Sequence, residues 1–184
     1  LDTKLIDRLS HLLSAELQKN ELFNSDKNFI LNYILEDLLK GKIIDEETVL
    51  NKLHYLKWIK SDFFQIMVIT KKASGTLDSK IPLIMKTLKT FINTDNCIIY
   101  KSDIVVFIDN EHFDNLLGKN SRFEDFLKAN ELNAGVSLRF TVLSECGRYY
   151  SQAVKALEIG QRYDLYISIF DNLKLSIISD SIIS

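Results

Sequence analysis

Apolar and polar residues follow two different periods along this chain, and the period changes near residue 60. Before that point apolar residues recur every three or four positions between charged residues, which is typical of amphipathic helices. After it, Phe63–Thr70 is an almost continuous run of β-branched and aromatic residues, which predicts a strand buried on both faces. We therefore expect a helical N-terminal extension over residues 1–60 and a second domain over residues 61–184.

The first 60 residues predict three helices. The first carries the apolar stripe Leu5–Leu17, and a polar break then places Ser25 or Asp26 at the cap of the second helix. The second helix ends at Gly41, a residue common just beyond helix ends. The third opens with Asp45–Glu47, where the helix dipole favours negative charge.

The second domain alternates strands and helices. From Phe63 the order is strand, helix, strand, strand, helix, strand, with an added helix and strand, which is the ferredoxin-like order. We expect an α+β fold, an antiparallel sheet with helices on one face. The elements predicted after the first strand are a helix over Ile81–Ile92, strands Cys97–Tyr100 and Ile104–Ile108, a helix opened by a capping box of Ser121 and Glu124, strand Ala134–Leu138, helix Ser144–Tyr163, strand Ile167–Phe170 and helix Leu173–Ile183.

Composition narrows the class of protein. The 184 residues are 46% hydrophobic and 26% charged with a net charge of −2, which argues against disorder and against a free-standing nucleic-acid binder. Two cysteines make no disulfide framework, so we expect a reducing, cytoplasmic location. No apolar run reaches the ~18 residues that a membrane helix needs, and no signal peptide is visible. Because Leu1 is not a start methionine, we expect a fragment of a longer protein.

Three stretches of the chain form an ordered set of motifs. Leu35–Ile43 ends in an LLxG pattern and precedes the acidic residues Asp45–Glu47 and a hydrophobic strand. Ala134–Ser137 with Tyr149–Gly160 gives the pattern GxS … Y.QA..AL..G, and Phe170–Leu175 follows. Together they resemble the middle domain of the PucR/CdaR family of bacterial transcriptional regulators, over about residues 30–178.

The resemblance implies a GGDEF-like domain, a relative of the nucleotide cyclase fold. In that family the domain lies between a variable N-terminal sensor and a C-terminal helix-turn-helix. This chain stops at Ser184, before a helix-turn-helix would begin, so we expect DNA binding to belong to the parent protein.

Cyclase chemistry would depend on the hairpin between the second and third strands. Carboxylates must hold Mg²⁺ there, and glycines let the backbone approach the nucleotide. The matching residues lack both glycines and the glutamate, and Ile69–Lys72 at the end of the first strand offers no acid. We therefore expect no catalytic residue, no metal ligand and no cofactor, with Asp103 an ordinary turn residue. The degenerate position comprises Lys101, Ser102, Asp103, Ile104 and Val105.

Other reactive side chains have structural interpretations. His11, His54 and His112 lie on separate elements with no metal-ligand spacing. His11 and His54 are on predicted helices, where we expect surface or edge positions. Cys97 and Cys146 are expected to be buried small apolar residues rather than a redox pair.

Three hypotheses on function remain open. The first is a non-catalytic regulatory module that forms a homodimer through its N-terminal helices and couples a sensor to a DNA-binding domain. The second is a divergent nucleotide cyclase, against which the missing glycines and acids argue. The third is a small-molecule-sensing domain that reuses the degenerate cyclase cleft, with an effector of unknown identity. The Leu5–Leu17 stripe either pairs with a second copy or packs on its own domain.

Overall fold

The structure is a computed structural model that describes residues 29–42, 45–56, 58, 63–72, 81–88, 90–92, 96–109, 112, 116–118 and 121–173. Helix α1 covers residues 29–39. The later elements are α2 (Glu46–Tyr55), β1 (Gln65–Lys71), α3 (Ile81–Leu88), β2 (Cys97–Tyr100), β3 (Asp103–Ile108), α4 (Phe123–Ala129), β4 (Leu132–Val136), a 3₁₀ turn (Leu143–Glu145), α5 (Cys146–Arg162) and β5 (Ile167–Ile169).

The five strands form one sheet in the order β2-β3-β1-β4-β5. The central strand β1 is antiparallel to both neighbours, with Val68 opposite Val105 of β3 and Gly135 of β4. Strand β5 instead lies parallel to β4, so the prediction of an antiparallel sheet is wrong for this one strand. The reason is that α5 crosses over between β4 and β5, and a helical crossover returns the chain in the same direction.

Helices cover both faces of the sheet, so the prediction of helices on one face is wrong. Helices α3 and α4 pack on the face that contains Met67 and Ile69, as the crossovers require. Helices α1, α2 and α5 pack on the opposite face, which contains Ile66 and Val68. Because both faces of β1 are apolar, a single layer of helices would leave one of them in water.

The N-terminal helices α1 and α2 share a core with the sheet. Leu35 and Leu38 of α1 and Leu53 of α2 belong to the same buried cluster as Phe107 of β3. Trp58 follows α2 and packs edge-on against Phe107, with ring centroids 5.5 Å apart. The apolar core is therefore continuous across residue 60.

At two of three helix ends, the residue predicted from the sequence has the expected role in the structure. Gly41 ends α1 with a φ of 66°, and the side chain of Asp45 accepts the backbone N–H groups of Glu47 and Thr48 at the start of α2. The predicted capping box is wrong. Ser121 Oγ accepts the N–H of Phe123, while Glu124 pairs with Lys128 at 2.8 Å.

Some predictions fall on other residues. The Leu5–Leu17 stripe, His11 and the cap at Ser25 or Asp26 lie outside the described residues, as does the predicted final helix beyond residue 173. Within the described part of the chain, no helix has the length and apolarity that crossing a membrane requires.

Candidate functional site

The β2–β3 hairpin, singled out by the sequence, turns through Lys101 and Ser102 alone. Both residues adopt the left-handed region, with φ values of 51° and 68°, and Tyr100 pairs with Asp103 across the turn. Positive φ at both central residues is the geometry of the tight hairpin turns that prefer Asn and Gly. The turn therefore has the backbone that glycines favour without having a glycine.

The other three residues of the degenerate position belong to β3, and their side chains are partly or completely buried. Asp103 is the first residue of β3 and is half-buried, while Ile104 and Val105 are completely buried. Ile104 lies in the cluster beneath α3 and α4, and Val105 lies in the cluster beneath α5. A carboxylate at residue 104 would therefore be enclosed by apolar side chains in this conformation.

Asp103 interacts with the neighbouring central strand rather than with solvent alone. Burial raises the pKa of its carboxyl group, and a hydrogen bond with the Thr70 side chain partly opposes that rise. No group of three or more His, Cys, Asp or Glu side chains suited to a metal ion occurs within the residues that the structure describes. The hairpin thus presents a single carboxylate already bonded to the protein.

Two tyrosines and a lysine pack beside Asp103. The rings of Tyr100 and Tyr150 meet edge to face, with centroids 5.4 Å apart. Lys101 Nζ lies 5.3 Å from the Tyr100 centroid and 5.8 Å from that of Tyr150, within range of a cation–π contact. Burial, followed by the charge of Asp103, raises the pKa of the Tyr150 hydroxyl. This packing connects the hairpin to the first half of α5.

Lys72, directly after β1, is a cation that is already paired. Lys72 Nζ lies 2.6 Å from the Asp164 carboxylate and 4.7 Å from the ring centroid of Tyr166. Lys128 approaches the same ring at 5.5 Å while it pairs with Glu124. At the strand end where a cyclase would need an acidic metal ligand, the charge of Lys72 is therefore compensated by Asp164.

A buried polar row crosses the sheet on its α5 face. Thr70 lies between Asp103 of β3 and Asn133 of β4, as the register of β1 with its two neighbours requires. Asn133 is 1% exposed and donates through Nδ2 to the carbonyl of Leu165 at 2.7 Å. Its Oδ1 atom has no hydrogen-bond partner. Because buried polar atoms are normally satisfied, this amide oxygen is the one open acceptor of the row.

The glycines of the GxS … G pattern lie where α5 meets the sheet; we call this contact the α5 seam. A Cβ on Gly135 would come within 2.6 Å of Leu157 Cβ and closer still to the Ala153 carbonyl oxygen. A Cβ on Gly160 would come within 2.7 Å of Ser168 Cβ in β5. Both glycines therefore let backbone and helix approach each other closely.

The polar residues of the same pattern satisfy backbone groups beside the seam. Ser137 Oγ accepts the N–H of Ile66 at 2.9 Å and donates to the carbonyl of Leu138 at 2.8 Å. Gln152 Oε1 accepts the N–H of Leu138 at 3.2 Å. The pattern that carried the resemblance thus has structural roles in packing and hydrogen bonding.

An Asp–His pair at the end of β3 was missed from the sequence. Asp109 is buried, and its Oδ1 atom accepts a hydrogen bond from the backbone N–H of His112 at 2.8 Å. The same Oδ1 atom lies 2.6 Å from His112 Nδ1. The signal was an Asp at a strand end three residues before a His, the spacing of a local capping contact. His54, by contrast, is exposed as expected.

The two cysteines are both buried, as predicted, and neither forms a disulfide. Burial raises the pKa of the Cys146 thiol far above its ordinary value, so the thiolate needed for nucleophilic chemistry is suppressed. Cys97 lies in the core cluster beneath α3 and α4.

A cavity of about 390 Å³ lies beside β5, away from the hairpin. Its lining includes Ser121 and Glu124 near the start of α4 and Ile167 and Ile169 of β5, with no residue of the hairpin turn.

In comparisons with known proteins, no family model matches this chain, and no curated protein is significantly similar to it.

Proposed function

We propose that this chain is a non-catalytic, GGDEF-like regulatory domain of a PucR/CdaR-type transcriptional regulator in the bacterial cytoplasm. The strand order supports the proposal: β1 lies between β3 and β4 and is antiparallel to both, which is the arrangement of a split βαβ or ferredoxin-like sheet. A fold of this kind hosts many unrelated functions, so the site must carry the functional argument.

The single observation that carries the proposal is the state of the hairpin. Lys101 and Ser102 form the turn, Asp103 is bonded to Thr70, and Ile104 is buried in the core. A two-metal phosphoryl transfer needs several carboxylates around the phosphates and a backbone open to close approach. The hairpin offers one carboxylate and no glycine, which supports a non-catalytic role for this position.

In this role the domain transmits a signal rather than transforming a substrate. It dimerises through its N-terminal helices and couples an upstream sensor to a helix-turn-helix that lies beyond this chain. Such coupling needs two arrangements of helices or domains that the sensor stabilises differently. The rigid α5 seam suits a body that moves as a unit, because small residues there hold helix and sheet in close contact.

The direct test of the regulatory class is the coding sequence of the gene from which the chain derives. The proposal expects a helix-turn-helix downstream of Ser184 and a sensor upstream of Leu1. A downstream region without any DNA-binding motif would contradict the PucR/CdaR assignment.

A small-molecule-sensing domain is the second candidate, and the buried polar row favours it. Asn133 Oδ1 is an open acceptor next to Thr70, which separates it from Asp103, and a small polar ligand with hydrogen-bond donors would satisfy it. Thermal unfolding with added GTP or ATP tests this candidate. A rise in the melting temperature without turnover, lost in Asn133→Leu, would establish sensing in place of the purely structural role.

A further inference from the structure

Helices α1 and α2 present an apolar groove on the surface of the described chain; we call it the α1–α2 groove. Two adjoining cavities of about 390 and 430 Å³ share Ile30, Thr48 and Lys52 in their lining. Tyr55 lines the first cavity, and Tyr33 lines the second.

Helix α1 is apolar on two sides, which is unusual for a helix that covers a sheet. Its inner side, with Leu35 and Leu38, is fully buried in the core. Its outer side exposes 75% of Phe29 and 63% of Tyr33, and Tyr55 of α2 is 79% exposed. Large exposed aromatic side chains grouped around a groove are characteristic of protein interfaces.

The charges around the groove exclude a strongly charged partner. Asp37, Lys42, Asp45 and Lys52 line the larger cavity, two acids and two bases. This balance disfavours nucleic acid and polyanions, which need a basic surplus. It suits a segment that combines an apolar stripe with charges of both signs.

The three exposed aromatic side chains alone do not supply the area of a stable interface. Three aromatic side chains of roughly 150–250 Å² each, about two-thirds exposed, contribute on the order of 300–500 Å². A stable interface buries about 800 Å² on each partner. The occupant must therefore bring additional apolar surface of its own.

The Leu5–Leu17 stripe is a segment of this chain with that property. It places leucines and an isoleucine at helical spacing between Asp7, Arg8 and Glu16, so it is apolar with charges of both signs. In the sequence, residues 18–28 connect the stripe to α1, and Ile30 of α1 lines the groove. Extended, this connection reaches roughly 36 Å, which permits exchange between two copies.

We propose that the α1–α2 groove binds the Leu5–Leu17 stripe of a second copy of this chain. Each copy then supplies one groove and one stripe, so a twofold axis fills both grooves through the same contact made twice. This assignment rests on the proposed dimeric function and names the surface through which the dimer forms.

The test is sedimentation of the full chain and of variants on each side of the contact. Tyr33→Glu alters the groove, and Leu9→Glu alters the stripe. Tyr163→Glu, at a tyrosine that is 57% exposed beyond α5, is the matched control. We expect the full chain to be a dimer, and we expect each of the first two variants to raise the dimer dissociation constant about tenfold or more. The control leaves it unchanged.

The outcomes separate this assignment from the proposed function. A dimer that Leu9→Glu weakens but Tyr33→Glu does not would overturn the groove and leave dimerisation through the N-terminal helices intact. A monomeric full chain would overturn both the contact between copies and the proposed dimerisation. Lower melting temperatures for Tyr33→Glu and Leu9→Glu would then indicate that the groove binds the stripe of the same chain. Circular dichroism of Tyr33→Glu confirms that the variant is folded in either case.

Discussion

The β2–β3 turn and the α5 seam both place the backbone where glycine is the least costly residue. At the turn, Lys101 and Ser102 adopt positive φ without a glycine. At the seam, Gly135 and Gly160 occupy the sites where a Cβ would overlap neighbouring atoms. The torsional cost at the turn is about 1–2 kcal/mol per residue, which a folded domain tolerates. The overlap at Gly135 involves backbone atoms of α5, and the overlap at Gly160 involves the Ser168 side chain.

This difference separates what the fold needs from what nucleotide chemistry would need. The seam needs glycine for packing alone, whatever the protein does. A hairpin has a second need for glycine, besides its turn geometry, when a ligand must approach the backbone closely. The Lys101 side chain instead packs over the rings of Tyr100 and Tyr150. The comparison therefore supports a close-packed scaffold whose hairpin has no glycine for the approach of a ligand.

The largest expected effect is at the seam. Gly135→Ala places a Cβ against the Ala153 carbonyl and Leu157, so we expect a loss of about 3 kcal/mol in the free energy of unfolding. Gly41→Ala is the matched control, because Gly41 has a φ of 66° and open space around it. The control should lose only about 1 kcal/mol, the torsional cost alone. Equal losses in urea unfolding would contradict the close approach of α5 to β4.

The turn should respond in the opposite direction. Replacing Lys101→Asn together with Ser102→Gly supplies the residues that this turn type prefers, so we expect a gain of about 1 kcal/mol in the free energy of unfolding. Lys101→Ala is the control, since it removes the cation–π contacts and leaves the torsional cost. A double variant less stable than the parent in urea unfolding would mean that the lysine packing outweighs the strain.

Asp103 gives a smaller effect that depends on pH. Because burial raises its pKa in the folded state above the ordinary 3.8, its contribution to stability is greatest in acid and falls as pH rises through the raised pKa. Asp103→Asn should therefore gain stability relative to the parent as pH rises from 3 to 7. Thermal unfolding of both proteins across that range measures the difference.

Asp45 provides the control of opposite sign. Its hydrogen bond with the Thr48 side chain lowers its pKa, so its contribution is present above 3.8 and is lost as pH falls. Asp45→Asn should therefore lose stability relative to the parent as pH rises. The same slope for both variants would contradict the different environments of the two carboxylates.

The sequence predicted the elements whose periodicity is strong. Strand β2 was predicted with its observed bounds, and α5 differs by at most two residues at each end. Strand β4 begins at Leu132 rather than Ala134, because Glu131 adopts a left-handed conformation that ends the preceding turn early. The spacing of polar residues along the sequence did not indicate that turn.

Long-range features were harder to predict. Helices on both faces and the parallel β5 follow from where α5 packs, which depends on close approaches at Gly135 and Gly160. The prediction placed the turn correctly in the chain, but register was needed to bring Asp103 beside Thr70. The Asp109–His112 pair was missed because its burial comes from tertiary packing rather than from spacing.

Titration of the full chain with GTP and Mg²⁺, by calorimetry and product analysis, tests the central claim most directly. The account predicts no turnover, because the hairpin has one carboxylate, bonded to Thr70, and no glycine in its turn. Formation of a cyclic nucleotide product, abolished in Asp103→Asn, would contradict it.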